Sequence, residues 1–100
     1  MDKCCVCMVC SSDVEENLLD ALLLHFGEAV FTSQPAFSHG LASAELDPRE
    51  QVLGRRRAVL VQILLAPAAA DALVQRLHEE FAGTGIRYWM LPVVREGALA

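Results

Sequence analysis

Residues 57–65, RAVLVQILL, decide the fold of this chain. After Arg57 the stretch contains a single polar residue, Gln62, and its β-branched and leucine side chains favour a strand. Side chains of a strand alternate between the two faces of its sheet. One face would carry Val59, Val61, Ile63 and Leu65, and the other Ala58, Leu60, Gln62 and Leu64. This strand is therefore predicted to be apolar on both faces.

Three further strands and two main helices are predicted around it. The strands are residues 3–10, 29–38 and 86–94, and the helices are residues 13–26 and a segment that begins at Pro67 and is broken by residues 83–85. In the first helix, Ser12 and Glu15 predict a capping box and Gly27 a left-handed C-terminal cap. Pro35 cannot donate a ladder hydrogen bond, which predicts that its strand lies at a sheet edge.

The predicted order of elements is β-α-β-β-α-β. With right-handed crossovers, this order gives an α+β, ferredoxin-like βαββαβ fold, in which a four-stranded antiparallel sheet carries two helices on one face. The 100 residues suit a single domain, since domains comprise roughly 50–200 residues. We therefore expect residues 1–100 to form one ferredoxin-like domain.

Composition excludes several classes of function. The net charge of −5 gives no general attraction for phosphate backbones, so a nucleic-acid binder is not expected. The longest apolar run, residues 58–70, is shorter than the roughly 20 residues of a spanning helix, so membrane insertion is not expected. No catalytic triad or carboxylate pair is visible, which argues against an enzyme.

Apolar side chains on both faces of the sheet predict self-association. In the first strand, one face would carry Cys5, Cys7 and Val9 and the other face Val6, Met8 and Cys10. In the last strand, one face would carry Ile86, Tyr88 and Met90 and the other face Trp89, Leu91 and Val93. A solvated apolar face costs about 25 cal/mol per Å². Another copy of the chain should cover that face, so we expect a homo-oligomer whose copy number the pattern leaves open.

Four cysteines lie within seven residues: Cys4, Cys5, Cys7 and Cys10. Cysteines so close in sequence cannot form disulfides between distant loops, as those of a secreted disulfide-rich protein do. No signal peptide is evident either, so a cytoplasmic protein is expected. Cys5 and Cys7 would share one face of the first strand, about 6.6 Å apart at Cα. Two interpretations remain open: packing as small buried hydrophobes, or a metal-binding or redox function.

A polar segment, residues 39–54, precedes the arginine run Arg55-Arg56-Arg57. Within it, Asp47-Pro48-Arg49-Glu50 predicts a short helix that Gly54 ends. Guanidinium groups bind phosphate or carboxylate bidentately, so the arginines are candidates for an anion site. The alternative is a surface cluster neutralised by Glu45, Asp47 and Glu50. His39 would lie at the mouth of this loop, where it could bind metal.

Three segments carry a resemblance to a known family: residues 37–40 (FSHG), 50–57 (EQVLGRRR) and 81–93 (FAGTGIRYWMLPV). With the βαββαβ order, they resemble a small group of bacterial PII-like proteins, related in fold to nitrogen regulatory PII and CutA proteins and often encoded beside heavy-metal efflux pumps. The resemblance implies a homotrimer with inward sheets, outward helices and effector sites at subunit clefts. It equates residues 39–54 with the partner-binding T-loop and residues 83–85 with a phosphate-binding loop, although the lysine that follows this loop in nucleotide-binding members is absent.

The expected function is that of a cytoplasmic PII-like regulatory protein. It would bind a small anionic effector, of unknown identity, and contact a partner, such as a metal-efflux transporter in heavy-metal resistance, through loop 39–54. The candidate ligand-binding residues are Ser38, His39, Gly40, Arg55, Arg56, Arg57, Gly83 and Gly85. The alternative is a CutA-like metal-binding protein that uses the four cysteines or His39; its candidate metal ligands are Cys5, Cys7 and His39.

Overall fold

The computed structural model describes residues 2–40 and 46–100. Its elements, in chain order, are β1 Lys3–Ser11, α1 Glu15–Phe26, β2 Phe31–His39, α2 Pro48–Leu53, β3 Arg55–Leu65, α3 Pro67–Glu80 and β4 Arg87–Val93. The four predicted strands and two main helices are all present, with boundaries within about two residues of the sequence pattern. The short helix α2 is the additional element expected between the second and third strands.

The four strands form one antiparallel sheet in the order β2-β3-β1-β4. This order places β1 and β3 in the centre, as the ferredoxin-like fold requires when each helix crosses over one strand. The α+β fold class is confirmed. Strand β2, which contains Pro35, lies at one edge of the sheet as predicted.

The hydrophobic core lies between the helices and one face of the sheet. In the central pair, Val6 lies opposite Ile63 and Met8 opposite Val61, so their side chains point to the same face. The buried core residues are Val6, Met8, Cys10, Leu18, Leu22, Val59, Val61, Ile63, Leu65, Ala70, Leu73 and Leu77. Because both α1 and α3 contribute to this one cluster, they cover the same side of the sheet.

Helix α2 forms as its sequence predicts. The Asp47 side chain accepts a hydrogen bond from the Glu50 amide at 2.8 Å, and the Glu50 side chain accepts one from the Asp47 amide at 3.0 Å. Pro48 occupies the first turn, where its missing N–H costs nothing. Gly54 ends the helix with a φ of 69°, a left-handed conformation that favours glycine.

Both predicted caps of α1 are wrong. The Val14 amide donates to the Ser11 carbonyl at 3.1 Å, and this turn moves the N-cap from Ser12 to Val14, which makes no side-chain cap bond. Gly27 keeps a right-handed φ of −65°. A Cβ at Gly27 would come within 2.5 Å of the Leu23 carbonyl oxygen, so this position needs glycine for close approach and not for positive φ.

The other face of the sheet is covered by neither helix; we call it the open face. It carries Cys5, Cys7, Val9, Leu60, Gln62, Leu64, Trp89 and Leu91, by register and alternation. Trp89 remains 42% exposed and Leu91 50% exposed. The two-sided apolar character predicted from the sequence is therefore present. Within residues 2–40 and 46–100, no helix is long and apolar enough to cross a bilayer.

Helix α1 offers a matched test of the core. Leu22 is fully buried, whereas Leu24 is 77% exposed. We expect Leu22→Ala to lower the free energy of unfolding by about 2–5 kcal/mol, because it leaves a cavity in the core. Leu24→Ala should change it by less than about 0.5 kcal/mol. Urea denaturation at equal protomer concentrations measures both, and equal losses would contradict the assigned orientation of α1.

Candidate functional site

The pairing of β2 with β3 gathers most of the predicted ligand-binding residues at one end of the sheet. His39 lies opposite Arg55 and Ser38 lies opposite Arg56. Gly40 follows directly, with a φ of 76°. The arginine run is thus the start of β3, beside the end of β2, and both strands lead into the polar segment that joins them.

The three arginines have different environments. The Arg55 guanidinium lies 4.1 Å from the centre of the Phe37 ring, a cation–π contact that holds it against β2. Arg56 approaches Glu50 of α2, with 3.8 Å between Nε and Oε1. Arg57 is exposed and makes no ion pair with any residue that the structure describes. Arg56 and Arg57 also line one common cavity, which Arg55 does not line.

A cavity of about 690 Å³ lies beside these two arginines; we call it the arginine cavity. It is lined by Ser11, Ser12, Asp13, Val14, Leu46, Asp47, Glu50, Arg56, Arg57 and Thr84. These residues come from the β1–α1 turn, the α2 segment, the start of β3 and the α3–β4 loop. Residues distant in sequence thus converge on one site, with guanidinium and hydroxyl donors facing three carboxylates.

The α3–β4 loop contributes Thr84 to this cavity. Gly83 and Gly85 both have a φ of 80°, and the Thr84 hydroxyl donates to the Phe81 carbonyl at 2.6 Å. The two predicted glycines line a separate cavity of about 210 Å³, next to Tyr88. They shape the loop, whereas Thr84 faces the arginines, a role that the sequence pattern did not indicate.

Loop 39–54 is described only in part, since residues 41–45, including Glu45, lie outside the described residues. Its second half is anchored to the arginine cavity through α2. Asp47 and Glu50 line the cavity while they also form the capping box of α2. The helix and the cavity wall therefore share the same side chains, so a change at one must affect the other.

The candidate metal ligands fall into two places. The Sγ atoms of Cys5 and Cys7 lie 3.6 Å apart on the open face. His39 pairs with Arg55 and Cys5 with Leu64, nine positions further along β3, which corresponds to about 30 Å at the strand rise of 3.3 Å per residue. One chain cannot bring His39 and the two cysteines to a single ion. No cluster of three or more potential metal ligands occurs in the part of the chain that the structure describes.

Burial and neighbouring thiols alter the acidity of two cysteines. Desolvation raises the pKa of Cys5 to about 11, with added contributions from its hydrogen bond to Cys7 and from the charges of Cys7 and Cys4. Desolvation also raises the pKa of Cys10, and the Glu15 carboxylate adds to the effect. These two thiols are therefore protonated at neutral pH and are weak nucleophiles.

Comparison with known proteins identifies the family. The DUF3240 family, described as a protein of unknown function, matches residues 1–100. The chain belongs to the DUF3240 family. Among curated proteins, none matches the sequence.

Solved structures show the same fold. A DUF3240 family protein from Shewanella baltica OS155 is 17% identical with a TM-score of 0.78, over 100% of this chain and 99% of that one. A candidate PII-like signalling protein from Thermus thermophilus is 20% identical with a TM-score of 0.62, over 90% and 88% of the two chains. CutA from Synechococcus elongatus PCC7942 is 18% identical with a TM-score of 0.64, over 92% and 78%. This DUF3240 protein therefore shares the PII/CutA-like fold that its sequence resembles.

The raised pKa of Cys5 predicts its reactivity. In a Cys4→Ser variant, Cys5 is the half-buried thiol, while Cys7 and Cys10 are buried. We expect its alkylation rate still to rise about tenfold per pH unit above pH 9, because only the thiolate reacts and desolvation and Cys7, the larger causes of the raised pKa, remain in this variant. Iodoacetamide labelling followed by mass spectrometry of the folded protein measures this rate. A plateau above about pH 9.5, as for an ordinary thiol of pKa about 8.5, would contradict the assigned environment.

Proposed function

We propose that this protein is a PII-like regulatory protein that assembles as a homotrimer, binds a small anionic effector and contacts a partner through loop 39–54. The effector would occupy the arginine cavity at a cleft between subunits. The observation that carries the proposal is the convergence of Arg56, Arg57 and Thr84 on one open cavity whose wall includes part of that loop.

The donors in the cavity suit an anion with several oxygens. Guanidinium groups form paired hydrogen bonds with phosphate or carboxylate, and the hydroxyl groups of Ser11 and Ser12 also line the cavity. The carboxylates of Asp47 and Glu50 also line the cavity. Each of them already accepts a backbone hydrogen bond in the α2 capping box. An arriving anion would therefore compete with Glu50 for Arg56, across a contact that is 3.8 Å long.

This competition would connect effector binding to loop 39–54. Glu50 joins Arg56 to the first turn of α2, so drawing Arg56 toward an anion weakens the attachment of α2 to β3. Val52 is 87% exposed and Leu53 is 55% exposed on the same short helix. A loop that moves these apolar side chains would present a different surface to a partner in the effector-bound and effector-free states.

The open face supports the proposed assembly. Trp89 and Leu91 are large, apolar and roughly half exposed, and they continue across β4 the apolar surface of the two central strands. Covering this surface with other copies removes its cost in water, about 25 cal/mol per Å². In a trimer with inward sheets, the helices and loop 39–54 face outward, where a partner can reach the loop.

The partner and compartment are proposed on the resemblance to PII-like proteins. A metal-efflux transporter is the proposed partner, which would give the protein a role in heavy-metal resistance from the cytoplasm. The proposed role is regulatory and includes no catalytic step. The effector chemistry that the cavity favours, a small anion, is shared by nucleotides, inorganic phosphate and bicarbonate.

Thermal shifts with a panel of ATP, ADP, AMP, inorganic phosphate and bicarbonate test effector binding. A compound present at 100 times its Kd should add about 2.7 kcal/mol of stability to the wild-type protein. Arg56→Gln should weaken its binding by about tenfold to a hundredfold, since a charge-assisted hydrogen bond is lost. If no compound shifts the wild-type transition, the effector proposal fails.

Two variants control this experiment. Arg76→Gln removes an arginine that pairs with Glu80 on α3, outside the cavity, and should leave binding unchanged. Glu50→Gln can keep the capping box, because glutamine also serves at that position, but it releases Arg56. It should therefore tighten binding. Weaker binding by Glu50→Gln would show that the anion does not compete with this carboxylate.

Light scattering tests the assembly. The wild-type protein should have three times the protomer mass of 10.9 kDa. Leu91→Glu places a charge on the open face and should dissociate the assembly, whereas Leu24→Glu, on the exposed side of α1, should leave the mass unchanged. Circular dichroism shows whether each variant keeps its secondary structure. A wild-type protein of single-protomer mass, or equal effects of the two variants, would contradict assembly through the open face.

A further inference from the structure

The open face holds two thiols in contact. Cys5 and Cys7 are two residues apart on β1, so both side chains lie on the same side of the sheet. Their Sγ atoms are 3.6 Å apart, and both cysteines are free. Cys5 is half-buried, whereas Cys7 is only 1% exposed. In a single protomer, access to the pair is therefore from the Cys5 side of the open face, which lies at the interface between copies in the proposed assembly.

The distance between the two sulfurs fits one class of metal ion. Zinc–thiolate bonds are about 2.3 Å long, so sulfurs separated by 3.6 Å would subtend roughly 100° at the ion. This angle is close to the tetrahedral angle that zinc prefers with sulfur ligands. A linear two-coordinate ion with similar bonds would need the sulfurs about 4.6 Å apart, which would require them to separate.

A polar neighbour supports the sulfur of Cys7. Gln62 is the single polar residue in the apolar run of β3, and it lies directly opposite Cys7. Its Nε2 donates toward the Cys7 Sγ at 3.7 Å. A donor to a ligating sulfur stabilises the thiolate and fixes its orientation. This contact gives a physical reason for an amide at a position where the strand pattern otherwise places aliphatic residues.

The remaining residues paired with the two cysteines across the sheet are apolar. In the sheet register Trp89 lies opposite Cys7, and Leu64 and Leu91 lie on the two sides of Cys5. Poorly hydrated walls strengthen the attraction between a cation and two thiolates, because the local dielectric constant is lower than in water. The side chains opposite the thiol pair are therefore apolar apart from Gln62, and one charged residue, Lys3, lies on the same face two positions before Cys5.

We propose that Cys5 and Cys7 form a two-thiolate clamp for a soft divalent cation of the zinc class, such as Zn²⁺ or Cd²⁺, supported by Gln62. On binding, two S–H bonds are replaced by two metal–sulfur bonds, and two protons leave for solvent. The two remaining tetrahedral positions are filled by water. The clamp uses no residue of the arginine cavity, so a test of metal binding does not depend on whether the effector site exists.

Cd²⁺ is the probe for the clamp. It is added to the reduced, purified full-length protein, and binding is followed by the sulfur-to-cadmium charge-transfer absorption and by the cadmium retained after gel filtration. The wild-type protein should retain one Cd²⁺ per protomer. Absence of the charge-transfer band in the wild-type protein overturns the proposal.

Matched variants assign the ligands. Cys5→Ser should abolish the band, and Cys5→Ala serves as a second variant if the serine disturbs folding. Cys4→Ser is the control: its sulfur is adjacent in sequence but lies on the helix side, where it contacts the Leu65 carbonyl. It should retain cadmium like the wild type. Equal retention by Cys5→Ser and the wild type, or equal loss in Cys4→Ser, refutes the clamp.

A variant of Gln62 separates a supporting role from simple packing. Gln62→Leu keeps the approximate volume and extends the apolar run of β3, so the fold should be retained or stabilised. Its affinity for Cd²⁺ should nevertheless fall by about tenfold to a hundredfold, the usual effect of removing a partner that supports a metal ligand. Unchanged affinity would refute the assigned role of Gln62.

Discussion

The pairing of β1 with β3 is the constraint on which the rest of the structure depends. Its register places Val6 beside Ile63 and Met8 beside Val61 under the helices. Because side chains alternate, a slip of one residue would exchange the two faces of β1 and move the thiol pair into the core. The open face, the core and the arrangement of both candidate sites are thus set by one antiparallel ladder between two apolar strands.

Strand β3 connects the two candidate sites. Its first residues supply Arg56 and Arg57 to the arginine cavity, and Gln62, further along the same strand, faces Cys7. The two sites differ in what surrounds them. The arginine cavity includes a loop wall that depends on α2, whereas the thiol pair is held by the sheet alone. The first is therefore suited to changes in conformation, and the second to a fixed distance between two ligands.

The sequence predicted features that depend on local patterns. Alternation along the strands predicted the two-sided sheet and the shared face of Cys5 and Cys7, and the DPRE segment predicted the short helix α2. The same local reasoning failed at Ser12, because a turn bonded to the Ser11 carbonyl displaced the cap. The contribution of Thr84 to the arginine cavity could not be predicted, since it arises from the packing of the α3–β4 loop beside the start of β3.

The prolines of this chain lie where the sheet and the helices can do without a backbone N–H donor. Pro48 and Pro67 begin helices, while Pro35 and Pro92 lie in β2 and β4, the two outer strands of the sheet. An outer strand with every backbone donor available is a template for further strands, and a residue without an N–H interrupts it. Each border of this sheet contains one such interruption. Copies of a protein whose sheet has an exposed apolar face are thereby hindered from pairing their edge strands into fibrils. This favours closed oligomers with a small number of subunits.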